Sequence, residues 1–405
     1  MTQKLFRGYY IVAASSFVQL LYLGGVFTYG VLFPHLEKAF GWSAALISGA
    51  GSLMFFCMCT LSAVMGLLSD RFGPRIVMTV TTTFFASGFI LLSTIQAPWQ
   101  LYLYYGLFCG IGMGAHDVVL LSTVARWFST RRGLMSGIVK GGAGIGQVLA
   151  PIGAATLIAI YGWRHAILII GIVLLIGMIV GCQFLRRDPR EQGLRPFGEQ
   201  DDPLNSIPSS ESGVTIRQAT RRYQFWLLCF AKLADFYCVT TIMVHIVRFG
   251  KLEGLSDAVA ALLIACVGAF SIIGRLAFGL VFDRVGTRWT LSTCFGLLLA
   301  SFLLLQSIDE ARLLFAFAFV YAIAHGGFFV IASPSVAEFF GTRSHGAILG
   351  LVFLVGTFGA VGGPLVTGWT YDFTQDYQVA FIILTVLSVF GLIFALLLRP
   401  IKSQI

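Results

Sequence analysis

A ten-residue segment occurs twice in this chain. Gly66-Leu-Leu-Ser-Asp70-Arg71-Phe-Gly73-Pro-Arg75 has its counterpart in Gly279-Leu-Val-Phe-Asp283-Arg284-Val-Gly286-Thr-Arg288. Each copy follows one long apolar run and precedes another. Charged turns that recur halfway along a hydrophobic chain constrain it to a duplicated helical bundle in lipid, an architecture that usually holds a site between its halves.

The solvent follows from composition. Charged residues are 11% of the chain, against about 25% in a soluble domain, and apolar residues are 57%. So few polar side chains cannot cover a soluble protein of this length, whereas a membrane protein has lipid around it. Apolar runs longer than ~18 residues recur, which indicates helices rather than short alternating outer-membrane strands. Twelve spans are predicted, at 8–34, 43–69, 75–96, 99–126, 133–160, 164–185, 223–249, 257–282, 289–307, 311–338, 345–370 and 377–398. The first run has no small-residue cleavage signature and is read as part of the fold.

Most of the 27 Lys and Arg residues fall in the turns on the side that holds both chain ends, among them Arg71, Arg75, Arg131, Arg132, Arg284 and Arg343. This bias places both termini in the cytoplasm and the protein in the inner (plasma) membrane. It also accounts for the net charge of +9, so no nucleic-acid partner is inferred. All eight cysteines fall within predicted spans and show no zinc spacing, so they read as small packing residues.

The polar stretch 186–222 separates two six-span halves, giving an N-terminal half 1–185, a cytoplasmic linker and a C-terminal half 223–405. The repeat extends beyond the ten-residue turns. Phe128-Ser-Thr-Arg131-Arg-Gly133 recurs as Phe340-Gly-Thr-Arg343-Ser-His-Gly346, and Pro151 corresponds to Pro364. Two parallel six-helix halves, each with a Gly-x-x-x-Asp-Arg-x-Gly-x-Arg loop between its second and third spans, resemble the Major Facilitator Superfamily. The resemblance covers the whole chain. It implies an all-α fold of twelve transmembrane helices, with the loop tying helix ends together on the cytoplasmic face. Asp70, Arg71, Arg75, Asp283 and Arg284 are thus expected to act in a cytoplasmic gate rather than on substrate.

Gly110–Gly114, Gly137–Gly141 and Gly142–Gly146 form Gly-x-x-x-Gly spacings, which let helix backbones approach closely. The glycine cluster at 141–146 superficially matches a dinucleotide loop, but its flanks are apolar helices rather than a strand and a βαβ unit. No nucleophile–base pair, metal constellation or nucleotide motif survives its context. The chain is therefore read as a non-enzyme with no cofactor.

Ionisable residues inside the spans are the functional candidates, because each costs roughly 2.5–3.5 kcal/mol on insertion scales. At 1.5 Å per residue, Arg275 lies about 12 Å inside the edge marked by Asp283, and Lys140 lies similarly deep past Arg132. His116, Asp117, Lys232, Asp235 and His325 are deeper or comparable, and His245 is near the outer end of its span. Lys232 and Asp235, three residues apart, can neutralise each other. His116 can equally be a hydrogen-bonded core residue. Arg275 has no acid three or four residues away, only Ser271, Ile272, Phe278 and Gly279. A deep guanidinium forks onto a carboxylate with two parallel hydrogen bonds, so a small organic anion is the expected substrate.

The segment Ser271-Ile-Ile-Gly-Arg275-Leu-Ala-Phe-Gly resembles span eight of the monocarboxylate transporters and of the oxalate/formate antiporters. Trp127-Phe-Ser-Thr-Arg-Arg-Gly together with Gly137-Ile-Val-Lys140-Gly resembles the fifth-span motif of the first group, and His245-Ile-Val resembles bacterial members. The resemblance implies that Arg275 binds the substrate carboxylate. Departures are clear: the Asp that animal members carry one turn before this Arg is Ser271, the first-span motif is reduced to Arg7-Gly8-Tyr9-Tyr10, and span eleven lacks the second basic residue of the oxalate antiporters.

The resulting expectation is a monomeric secondary transporter of a lactate- or pyruvate-like monocarboxylate. Arg275, His245, His325, Tyr22, His116 and Lys140 would line its substrate site between the halves, and a proton would be carried through Asp117. The runner-up is an oxalate/formate-type anion exchanger, which a second positive charge at Lys140 keeps open.

Overall fold

The computed structural model describes residues 6–199, 213–307, 310 and 312–399. Residues 200–212 of the expected linker lie outside this set. Among the described residues, ten helical stretches are long and apolar enough to cross a membrane. Two of them, Arg132–Gln183 and Asp257–Gln306, run for 52 and 50 residues. At 1.5 Å per residue, each is more than twice as long as a bilayer core of about 30 Å is thick. Each breaks once, at Gly162 (φ 75°) and Gly286 (φ 74°). Positive φ is readily open only to glycine, so at each of these residues one helix ends and the next begins with no separate loop between them.

Divided at these kinks, the ten stretches give twelve helices among the described residues: α1 Arg7–Phe40, α2 Ala44–Phe72, α3 Pro74–Leu92, α4 Pro98–Trp127, α5 132–161, α6 163–183, α7 Tyr223–Leu252, α8 257–285, α9 287–306, α10 Leu313–Phe340, α11 His345–Thr374 and α12 Gln378–Leu397. The two kinked turns were read from sequence as ordinary inter-span loops.

The punctuation is local chemistry. Gly41 ends α1 in the left-handed region (φ 67°), Ser43 accepts from the Leu46 amide to start α2, and Pro74 opens α3. A proline at the first helical position removes an amide that would have no partner anyway. α4 is less regular. It contains a π-helical turn at Tyr102–Cys109, and the helix loosens at Gly114 and Ala115 before resuming at His116.

Packing divides the chain into two compact units. The first comprises Met1–Thr130, Ile138–Ser212 and Ser344–Gly350; the second comprises Arg131–Gly137, Gly213–Arg343 and Leu351–Ile405. The first turns of α5 and α11 thus group apart from the rest of their helices, which sequence reading did not anticipate.

Close helix contacts use the glycines. A Cβ on Gly142 or Gly146 would run into the backbone carbonyls of Ser16 or Leu20 on α1. In the second unit, a Cβ on Gly274 would strike the Ile323 carbonyl on α10, and one on Gly326 would strike the Ser271 carbonyl on α8. Rigid helices cannot yield at such points. Gly146→Ala is therefore expected to destabilise the first unit by about 1–3 kcal/mol, the usual cost of overpacking. Gly153→Ala, with open space around it, should be close to neutral. Thermal unfolding of the two variants in detergent checks this, and equal melting temperatures would contradict it.

Candidate functional site

The buried charges gather in separate clusters within the two units. In the first unit, α1, α4 and α5 build a cluster around Asp117. The break before His116 leaves the Met113 carbonyl exposed to the ring, and His116 Nδ1 donates to it at 2.7 Å. Asp117 Oδ1 pairs with Lys140 Nζ, accepts from Gln19 Nε2 at 2.7 Å, and lies 3.3 Å from His116 Nε2. Gln19 Nε2 also reaches the His116 carbonyl at 3.2 Å. Tyr22 closes the cluster. Its hydroxyl donates to the Gly112 carbonyl at 3.1 Å and its ring lies 5.7 Å from that of His116. Tyr22, His116, Asp117 and Lys140 are thus brought together.

The chemistry of this cluster is directional. A carbonyl only accepts, so the contact with Met113 fixes the proton of a neutral His116 on Nδ1. Its Nε2 then presents a lone pair to the Asp117 carboxylate. Two acceptors at 3.3 Å form a place for one additional proton.

In the second unit, Arg275 on α8 is 3% exposed and its guanidinium carbon lies 5.2 Å from the Phe329 ring centroid. His325, 5% exposed, packs between Tyr321 (5.7 Å, stacked) and Phe329 (4.8 Å, edge-on). Its Nδ1 is buried with no hydrogen-bond partner among the described residues. The small residues Gly274 and Gly326 make the approach of α8 to α10 close enough for the two side chains to share one aromatic shell. Ser271, one turn before Arg275, is fully buried and turns its hydroxyl back to the Gly268 carbonyl at 2.7 Å.

Lys232 and Asp235 form an ion pair on α7 at 2.7 Å. Lys232 also lies 4.2 Å from the Phe236 ring. Removing one partner of such a pair leaves a buried charge, at a cost of about 3–5 kcal/mol. Lys232→Ala and Asp235→Ala should each lower stability by that order, and the double variant should recover much of it. If the double variant is as unstable as the two single losses summed, the pair is not the unit that matters.

His245 stands apart from both clusters. Its Nδ1 faces the Tyr377 hydroxyl at 3.2 Å and its Nε2 faces the Pro364 carbonyl at 3.1 Å. Both ring nitrogens are therefore engaged within the second unit.

The repeated loops are stitched by partners outside the ten-residue motif. Asp70 pairs with Arg126 and accepts from the Ala347 amide at 3.2 Å. Asp283 accepts from the amides of Gly133 and Leu134 at 2.7 and 2.9 Å. In both units the motif aspartate thus binds the amides at a helix start, where the dipole favours negative charge. Arg75 holds Gln183 Oε1 through Nε at 2.8 Å. Arg71 packs on the neighbouring Phe72 ring at 5.2 Å, and Arg284 is exposed.

Sequence reasoning missed Gln19 and Arg126. Gln19 is a polar residue well inside the first span, a signal that could have flagged it. In the sequence Arg126 reads only as one more basic residue at a cytoplasmic span end. Among the described residues, no group of three His, Cys, Asp or Glu side chains could hold a metal ion.

A bundle of apolar helices with buried ion pairs in its spans is the architecture of a multi-pass membrane transporter. The sequence model of the Major Facilitator Superfamily matches residues 15–305 and 225–404, and the chain belongs to that family. It is a secondary transporter, not an enzyme. Monocarboxylate transporter 13 of Bos taurus is 27% identical over 385 residues, covering 93% of this chain and 85% of that protein. Agnestins efflux protein AgnL12 of Paecilomyces divaricatus is 25% identical over 367 residues, covering 89% and 80%. Among solved structures, the proton:xylose symporter XylE matches with a TM-score of 0.77 at 15% identity, covering 96% of this chain and 94% of that one. The fucose:proton symporter FucP matches at 0.73 and 14%, covering 95% and 98%. At these identities the structural matches show the fold alone.

Proposed function

We propose that the protein carries a small monocarboxylate, of the lactate or pyruvate kind, together with a proton. The observation that carries this reading is Arg275, a buried guanidinium that shares the Phe329 ring with His325, whose Nδ1 has no hydrogen-bond partner among the described residues. A carboxylate accepts only, and it can take a fork from the guanidinium while the imidazole N–H donates to it. The likeness to monocarboxylate transporter 13 supports the same substrate class.

The second positive charge that a dicarboxylate would need is accounted for otherwise. Lys140 faces Asp117 and Lys232 faces Asp235, so a dianion would have to displace a carboxylate the protein already holds. This favours the monocarboxylate over the oxalate/formate-type exchanger. The proton is assigned to the space between His116 Nε2 and Asp117 Oδ1, where two acceptors face each other. The basic bias of the turns supports a plasma-membrane orientation with both termini cytoplasmic.

The test is binding to the purified protein, with lactate, pyruvate and acetate set against oxalate, malonate and succinate. Monocarboxylates should bind and compete with one another, and the dicarboxylates should compete at least ~10-fold less well, a difference of about 1.4 kcal/mol. Tighter binding of oxalate than of lactate would replace this reading with the exchanger.

A further inference from the structure

At one end of the first unit, where α1 begins and α6 ends, lies a groove of about 360 Å³. Arg7 and Arg186 line it together with Gln183 and Gln192. Its lip is apolar: Tyr10 is 55% and Phe184 57% exposed. The groove belongs to neither cluster of buried charges, and the transport function leaves it unused.

Its polar frame is fixed from behind. Arg7 Nη1 donates to Gln192 Oε1 at 2.8 Å. Arg186 Nη1 donates to the carbonyls of Gln183 and Leu185 at 2.9 and 2.8 Å. The Arg186 carbonyl in turn accepts from Trp127 Nε1 at 2.9 Å. Each guanidinium has five N–H donors, so these bonds orient the two groups and leave donors for a ligand. Among the described residues, none that lines the groove is acidic. Of the described acids in this stretch, Asp188 accepts from the Arg190 amide at 2.9 Å, and Glu199 pairs with Arg190 at 2.8 Å.

We infer that this groove binds the headgroup of an anionic phospholipid, with Arg7 and Arg186 on the phosphodiester and Tyr10 and Phe184 against the upper acyl chains. Two properties point to a lipid rather than a free anion. The arginines sit at the ends of membrane-spanning helices, where a phospholipid carries its charge. The exposed aromatic side chains beside them suit the apolar–polar boundary of a bilayer and would be wasted on inorganic phosphate.

Native mass spectrometry of the detergent-purified protein, with phosphatidylglycerol or phosphatidylcholine added, reads the site directly. Phosphatidylglycerol should be retained in preference to phosphatidylcholine and should raise the melting temperature. Inorganic phosphate at the same concentration should do neither. R7Q/R186Q should weaken retention roughly tenfold or more, from the loss of two arginines at a lipid surface. R187Q removes a charge from the same end but not from the groove, and should retain the lipid as the parent does. If R187Q loses as much as R7Q/R186Q, the attraction is diffuse and the site is refuted. Equal protection by inorganic phosphate, or equal retention of phosphatidylcholine, refutes it too. Should R7Q/R186Q fail to fold, R7Q alone, at an exposed position, should still lose lipid several-fold, and unchanged retention there would overturn the inference.

Discussion

Arg275→Ala is expected to abolish carboxylate uptake while the protein still inserts and purifies. The guanidinium is buried on α8 beside Phe329 and His325, and the Ala variant leaves no cation on that face of α8 to meet the substrate. Arg275→Lys separates charge from geometry. It keeps the cation but loses the planar fork, at a cost of about 1.5–3 kcal/mol for a charged hydrogen bond, or roughly 10–150-fold in affinity. Binding of lactate by calorimetry ranks the parent, Lys and Ala variants. An Ala variant that binds as tightly as the parent would move the site away from α8. A Lys variant equal to the parent would mean that charge alone is used and the fork is not.

The second large effect is expected from Asp117→Asn. Asn keeps the shape of the side chain and can still meet Gln19, but it cannot hold the proton shared with His116 and leaves Lys140 facing a neutral group. In proteoliposomes the variant should exchange labelled substrate across the membrane, yet fail to accumulate it when a pH gradient is imposed. Symport through Asp117 requires that split. Accumulation that survives the substitution would make Asp117 a structural partner of Lys140 and shift the search for the proton to the histidines or Asp235. Lys140→Met serves as a companion. It removes the cation without adding a polar group, and so separates loss of the ion pair from loss of the proton site.

The fold was legible because lipid leaves few options. A chain must satisfy its backbone within each span, so apolar runs of the right length translate into helices and the repeat into two sets of six. The kinks at Gly162 and Gly286 were not legible as kinks, because two helices joined through a single glycine look in sequence like two spans with any short loop between them. The charged residues of the candidate site were conspicuous for the same reason as the spans: they stand out against an apolar background. Their partners were less so. Lys232 and Asp235 share one helix turn and could be paired by spacing alone. Lys140 meets Asp117 from another helix, 23 residues on, and Arg126 meets Asp70 from 56 residues on. Such pairs depend on which helix faces follow one another around the bundle, which periodicity does not specify. His245 illustrates the opposite gap. The resemblance marked it as a wall residue, whereas the Tyr377 hydroxyl and Pro364 carbonyl that engage its ring come from residues more than a hundred positions later.

The contact of Asp70 with the Ala347 amide sets an order in time. The two residues are 277 positions apart. A ribosome adding ~5–20 residues per second needs roughly 15–55 s to pass from one to the other. Arg126 emerges only 56 positions after Asp70 and can neutralise the carboxylate early. The amide of Ala347, and with it the segment 344–350 that packs in the first unit, arrives only after α1 to α10 have been made. The earlier unit is therefore completed by a segment translated only after α7 to α10. A message truncated after α10 would leave the earlier unit incomplete, although every residue of α1 to α6 had already been translated.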